Sequence, residues 1–221
     1  MLNTKSDAGQ GIKNQAASPK VCQSHFDIFA AAGGINTALV KAFTATADAN
    51  GTLTLQFTTV KDNAKVNGIE VSLASYAINA GGGASGSFMA DAFANGGQMY
   101  ATTAGIDTSG VTNPAPAAVY QTERYGSLAY HVPGLKAGAA YTVRLHFAEI
   151  YFSASGQRTF NVAINGTQVL SNFDIYATAG AKNKAVVKAF TATADANGAI
   201  TITLTSVIDN AKISGIEVQG N

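Results

Sequence analysis

This sequence predicts an all-β fold, a jelly-roll-type β-sandwich of about ten short antiparallel strands. Three observations carry that expectation. Apolar and polar residues alternate with period two, as in Ile200, Ile202 and Leu204 against Thr201, Thr203 and Thr205, which is the pattern of a half-buried strand. Gly and Asn punctuate these stretches at short intervals, and helical spacing is scarce. Charged residues make up only 12% of the 221-residue chain, a profile that suits a turn-rich sheet protein.

The elements follow in order. Tyr76 to Asn79 reads as a short strand, and Leu128, Tyr130 and Val132 mark another, closed by Pro133 and Gly134. Tyr141, Val143, Leu145 and Phe147 give the apolar face of a longer strand, expected to run from Tyr141 to about Phe152. Phe160, Val162 and Ile164 alternate up to Asn165-Gly166, a pair that tolerates the positive φ of a tight hairpin turn. Thr167 to Leu170 is then the return strand. Val187 to Ala194 and the strand opening at Ile200 are joined by the turn Asp195 to Gly198, and Ile213 to Val218 ends the series. Long connections are expected at 81–86, 104–117, 153–157 and 176–184; on a rigid sandwich such loops carry binding chemistry. The Gly81 to Gly83 cluster lacks the following Gly-Lys-Ser/Thr of a phosphate cradle.

The chain also repeats itself. Phe26 to Val71 is rewritten about 147 residues later as Phe173 to Val218, with roughly two-thirds of the positions identical. The hundred or so residues that precede the second copy have no counterpart before the first. The expected organisation is therefore a disordered or truncated tail over 1–25, the C-terminal remnant of an upstream domain over 26–72, and one complete domain over 75–218. All eight tyrosines lie at or after Tyr76. The first copy keeps Asp62, the counterpart of Asp209, and brings strand faces (Leu53, Leu55, Phe57) without their partner sheet.

Composition removes several function classes. The formal net charge is +1, with Arg124, Arg144 and Arg158 as the only arginines, so nothing resembles the basic stripe that a nucleic acid requires. The single cysteine, Cys22, leaves no internal disulfide, and no Cys or His pair has zinc spacing. His25, His131 and His146 are isolated in sequence and read as structural or solvent-facing. No apolar run has the length of a signal peptide or a membrane span, so no membrane insertion is expected. No cofactor, metal or catalytic residue is indicated.

The chemistry sits in Ala118 to Gly126, which ends in Glu123-Arg124-Tyr125-Gly126, and in Phe147 to Phe152. Tyr151 and Phe152 are neighbours, and on a regular strand they would face opposite ways. Both can line one site only where the pleat ends, and Ser153 to Gly156 follows at once. Tyr125 likewise stands at a strand end. Aromatic faces at a loop rim suit the apolar C–H patch of a pyranose, whose hydroxyls need a few fixed polar partners. Trp is absent, so stacking falls to Tyr and Phe. Asp209 can anchor hydroxyls through charge-assisted bonds or serve as a turn residue; the two roles are compatible. Glu123 and Arg124 should face opposite sides of a strand. Arg124 and Glu149 read as structural ion-pair partners.

Ala77 to Gly82, Gln121 to Gly126, Phe147 to Phe152, Phe160 to Leu170 and Phe173 to Tyr176 together resemble a malectin domain, a carbohydrate-binding module. The motifs run in order across 75–218. The resemblance implies a jelly-roll lectin that holds a neutral oligosaccharide or glucan with Tyr100, Tyr125, Tyr151, Phe152 and Asp209, without catalysis. It also implies an extracellular or secreted setting and further domains in a larger parent protein. The loop from Asn95 to Pro116 departs from the animal members, which implies a different sugar. The alternatives are a protein–protein adhesion module and a glycoside hydrolase, the latter needing two carboxylates across the scissile bond.

Overall fold

The structure is a computed structural model that describes residues 23–43, 45, 52–71 and 75–221. The expected tail over 1–25 and Cys22 lie almost wholly outside the described residues. The chain divides into two units, 1–68 and 69–221. Among the described residues, no helix is long and apolar enough to cross a membrane.

The second unit is the all-β sandwich that the alternation predicts. Its ten strands are β1 (Tyr76–Asn79), β2 (Ala94–Ala101), β3 (Thr122–Val132), β4 (Ala140–Ala148), β5 (Thr159–Ile164), β6 (Thr167–Phe173), β7 (Ala185–Thr193), β8 (Ile200–Ile208), β9 (Lys212–Ile213) and β10 (Gly215–Gly220). One sheet has the order β1-β10-β4-β7, the other β2-β3-β8-β5-β6, with β9 also against β3. Pairing between named strands is antiparallel throughout.

The pleat places the core. Ile200, Ile202 and Leu204 on β8, Phe160, Val162 and Ile164 on β5, and Tyr141, Val143 and Leu145 on β4 all point between the sheets and are buried. Each such side chain contributes roughly 1.5–3 kcal/mol of transfer free energy. Phe147, Phe160 and Phe173 meet edge-on or tilted at 5.1–5.9 Å between ring centres. Asn165 (φ 49°) and Gly166 (φ 78°) make the hairpin turn between β5 and β6 as expected. The expected long strand ends earlier than the sequence suggests: β4 stops at Ala148, and Glu149 to Phe152 form a turn. The expected loop over 95–116 also contains β2, whose Asn-Gly-Gly centre hides its strand character. A helical turn, Ala117–Tyr120, buries Val119 and Tyr120 in a second apolar cluster with Phe88 and Ile150.

That cluster covers the outer face of β4 and buries a histidine. His146 Nδ1 lies 2.9 Å from the Tyr120 hydroxyl, which also accepts from the Ala115 N–H. Its Nε2 lies 3.0 Å from Glu217 on β10, and Glu217 also takes Arg144 at 2.5 Å. Burial raises the Glu217 carboxyl's pKa, but hydrogen bonds from His146 and Arg144 outweigh it and leave the value below that of an ordinary glutamate.

The first unit repeats local geometry without the sheet. Its helix Ile28–Ala32 is capped by Asp27, which accepts from Ala30 N–H at 3.0 Å, and ends at Gly33 with φ 77°. The helix Ile175–Ala179 has the same caps in Asp174 and Gly180. Asn36 and Asn183 share a left-handed φ (57° and 56°), as do Asp62 and Asp209 (54° and 53°). Yet among the described residues of the first unit there is no strand. Leu53, Leu55 and Phe57, expected on strand faces, are in none, and Leu55 and Phe57 are more than half exposed.

Glu217→Gln should lower stability by roughly 1.5–3 kcal/mol near neutral pH, the scale for hydrogen bonds to a charged group. The wild-type carboxylate's contribution is complete above the unfolded glutamate pKa of 4.5 and is lost as pH falls through the lower folded value. Thermal melts between pH 7 and pH 3 check this; the gap between wild type and variant should narrow on the acid side.

Candidate functional site

One end of the sandwich gathers all five residues that the sequence singles out, and a buried charge cluster explains how. Glu123, Glu149, Arg158 and Lys212 are each at most 5% exposed. Glu123, second residue of β3, pairs with Lys212 of β9. The Lys212 ammonium also donates to the Ala148 carbonyl where β4 ends. Burial pushes the Lys212 pKa down, while Glu123 and Glu149 pull it back. Arg158, one residue before β5, gives its Nε–H to Glu149 at 2.8 Å.

Glu149 builds the turn that displays the aromatics. Its Oε1 accepts the N–H groups of Tyr151 and Phe152, both at 3.0 Å. Two consecutive residues are thereby turned out of the β4 pleat. Gln157 Oε1 then accepts from Ser153 and Ala154 (3.2 and 2.9 Å), closing the loop. Tyr151 is 59% exposed and meets Phe152 at 90° and 5.0 Å. Tyr100, from the end of β2, meets Tyr151 at 85° and 6.1 Å. The three rings form a continuous aromatic shelf.

Arg158 joins this shelf to the carboxylate. Its guanidinium lies 4.9 Å from the centre of the Phe152 ring, and its Nη1 lies 3.5 Å from Asp209 Oδ1. The same nitrogen donates to the Asn210 carbonyl. Asp209 Oδ1 also accepts its neighbour's N–H at 2.5 Å, which is the turn role expected of it. Its side chain is 38% exposed, and a carboxylate's second oxygen has acceptor capacity of its own.

Tyr125 stands slightly apart. It does not stack on the three rings; its hydroxyl donates to Gln98 at 3.0 Å across the β2–β3 pair, and it lines a cleft with Asn210. Arg124 faces the other way, as its alternation with Glu123 requires, and holds Asp91 at 2.6 Å. Sequence reasoning missed three participants: Arg158, Gln98 and Asn210. Arg158 follows Gln157 in a polar loop and has no periodic signature. Gln98 sits in the Gly-rich centre of β2, and Asn210 reads as the second half of a turn.

Arg158→Met should cost roughly 3–5 kcal/mol, since Glu149 is left buried and unpaired. Arg158→Lys keeps the charge but not the planar fork, so it should lie between the two. Thermal denaturation of the three proteins orders them.

Residues 74–216 match the family described as the Malectin domain. The malectin of Homo sapiens is 42% identical over 67 residues, covering 29% of this chain and 23% of that protein. A kinesin-like protein, KIN-14E, of Oryza sativa subsp. japonica is 32% identical over 153 residues, 63% of this chain and 14% of its own length. The chain thus spans less than a quarter of either relative. Among solved structures, the ANX1 ectodomain of Arabidopsis thaliana superposes with a TM-score of 0.60 at 22% identity, over 67% of this chain and 49% of that one. A β-glucuronidase of Bacteroides uniformis gives 0.54 at 20% identity, over 67% of this chain and 18% of that one; both likenesses concern the fold alone. With residues 74–216 of its 221 matched, the chain belongs to the Malectin domain family.

Proposed function

We propose that residues 75–221 are a non-catalytic carbohydrate-binding module that holds a neutral oligosaccharide or glucan at the aromatic end of the sandwich. The observation that carries this reading is the edge-to-face run of Tyr100, Tyr151 and Phe152, tied through Arg158 to Asp209. The rings supply apolar faces for sugar C–H groups, and the free oxygen of Asp209 supplies a charged acceptor for hydroxyls. Tyr125 bounds the site on the β2–β3 side. Such an open surface suits a dissociation constant in the micromolar to millimolar range, about −8 to −4 kcal/mol.

Hydrolysis fits poorly. Of the carboxylates near the site, Glu123 and Glu149 are at most 2% exposed and are neutralised by Lys212 and Arg158. A hydrolase needs a proton donor and a second carboxylate that can both reach the scissile bond. A second reading, a module that docks a peptide or a partner protein, is favoured by one neighbour. A plant complex described as the peptide RALF23 with FER and LLG2 superposes with a TM-score of 0.60 at 19% identity, over 69% of this chain and 51% of that one. An extracellular setting in a larger parent protein accords with the ectodomains among the neighbours. Residues 26–72 are, on this reading, the C-terminal part of an upstream domain of the same kind. With Asp62 but no tyrosine, they lack a shelf of their own.

A glycan array probed with the full chain separates the sugar reading from the peptide reading. Tyr151→Ala should abolish binding with little change in melting temperature, because the ring is mostly exposed. Asp209→Asn should weaken binding by roughly 1.5–3 kcal/mol. If neither variant alters binding on the array, the shelf is not the site.

Deletion tests the domain assignment. Removing residues 1–72 should preserve folding and glycan binding, whereas removing 173–221 should destroy both, because β7 to β10 and Asp209 go with it. Circular dichroism and the same array read the outcome. A folded, binding product of the second deletion would show that the first copy can complete the sandwich.

A further inference from the structure

We infer that the cleft beside Tyr125 is a second, polar subsite in which Gln98 and Asn210 select the sugar unit next to the one on the aromatic shelf. This rests on the carbohydrate reading above and extends it to residues outside the shelf and its anchor.

The cleft is built by an interruption of the sheet. On one side of β3, Gly96 pairs with Leu128 and Gln98 with Tyr125, so the register slips between them. On the other side, Leu128 pairs with Leu204 and Tyr125 with Lys212. Between those two partners the chain stays paired with β5 as far as Ile208, parts from β3, and turns through Asp209 and Asn210. At Gly126, β3 therefore has no registered strand partner on either side, and the Gly126 N–H donates to the Ala211 carbonyl at 2.8 Å instead. The backbone needs glycine there: Gly97 has φ 74° and Gly126 φ 108°, and a Cβ on Gly97 would come within 2.9 Å of the Tyr125 carbonyl. Bulges of this kind re-aim side chains at functional sites.

The resulting cavity has a volume of about 430 Å³, lined by Gly97, Gln98, Tyr125, Gly126, Ser127 and Asn210, within the range of small-molecule sites. No charged side chain lines it. The Tyr125 hydroxyl fixes Gln98 by donating to its Oε1 at 3.0 Å, which directs the amide's two N–H donors elsewhere. Asn210 is held through its own backbone, with its N–H on Asp209 and its carbonyl on Arg158. Its side-chain NH₂ leans on Asp209 at 3.3 Å, leaving its oxygen as an acceptor. A fixed donor, a fixed acceptor, a serine hydroxyl and one aromatic face match a neutral polyhydroxylated ring. They offer no cation to a carboxylated or sulfated one, which would also face the Asp209 carboxylate. Covalent continuity with the unit on the shelf would supply the effective concentration that makes such a shallow cleft count.

The test uses the full chain and an array of neutral oligosaccharides, with affinities then measured for the best-bound glycan. Gln98→Met removes both hydrogen-bonding functions; Gln98→Glu keeps the acceptor for Tyr125 and removes the donor. Both, and Asn210→Ala, should weaken binding roughly fivefold to tenfold and change the ranking of glycans on the array. Tyr151→Ala should remove binding altogether, and melting temperatures should hold because Gln98 and Asn210 are exposed. If the three cleft variants bind with unchanged affinity and ranking while Tyr151→Ala does not bind, this inference fails and the shelf reading stands. If the wild-type chain binds no neutral glycan, both fail together.

Discussion

Four charged side chains, buried under the aromatic end of the sandwich, hold the rest of that end in place. Glu123, Glu149, Arg158 and Lys212 come from β3, the end of β4, the start of β5 and β9. Each would be expensive to bury alone, and pairing offsets that cost only when the geometry is satisfied. The arrangement therefore admits little variation. Glu149 must present one oxygen to two backbone N–H groups and the other to Arg158, and Arg158 must reach Phe152, Asp209 and Asn210 at once. A less polar core could have been equally stable, but it would not have fixed a turn and a loop from different strands against each other.

The site's chemistry follows from that constraint. Tyr151 and Phe152 depart from strand geometry because a carboxylate claims their N–H groups, and they become two walls of one surface instead of residues on opposite faces. Asp209 is pinned at its Oδ1 by a guanidinium and by its neighbour's N–H, which orients the carboxylate before any ligand arrives. The residues proposed to meet a ligand are exposed or half-buried, while those that position them are buried.

Much of this was legible in the sequence. The β5–β6 hairpin follows from Asn165-Gly166, and the core follows from alternation at Ile200 to Leu204 and Tyr141 to Leu145. The shelf follows from two adjacent aromatics before a small-residue loop. What stayed hidden had physical reasons. β2 could not be read because Gly96 and Gly97, which its bulge requires, look like a loop. The early end of β4 could not be read because Ile150 continues the apolar pattern after Glu149 has broken the pleat. Arg158 could not be placed because it joins Glu149, nine residues before it, to Asn210, 52 residues after it, and no local pattern marks that link. The repeated segment is the sharpest case. Helix caps and left-handed turns recur there from local sequence alone, whereas strands need partners that local sequence does not supply.

The bulge at Gly96 to Gln98 has one more consequence. β2 is an outer strand of its sheet, so it presents backbone groups on which a foreign strand could grow. A shifted register and two left-handed glycines deny that edge the flat, regular ladder that templated stacking requires. The irregularity that opens the cleft beside Tyr125 thereby also interrupts the edge on which a foreign strand would have to grow.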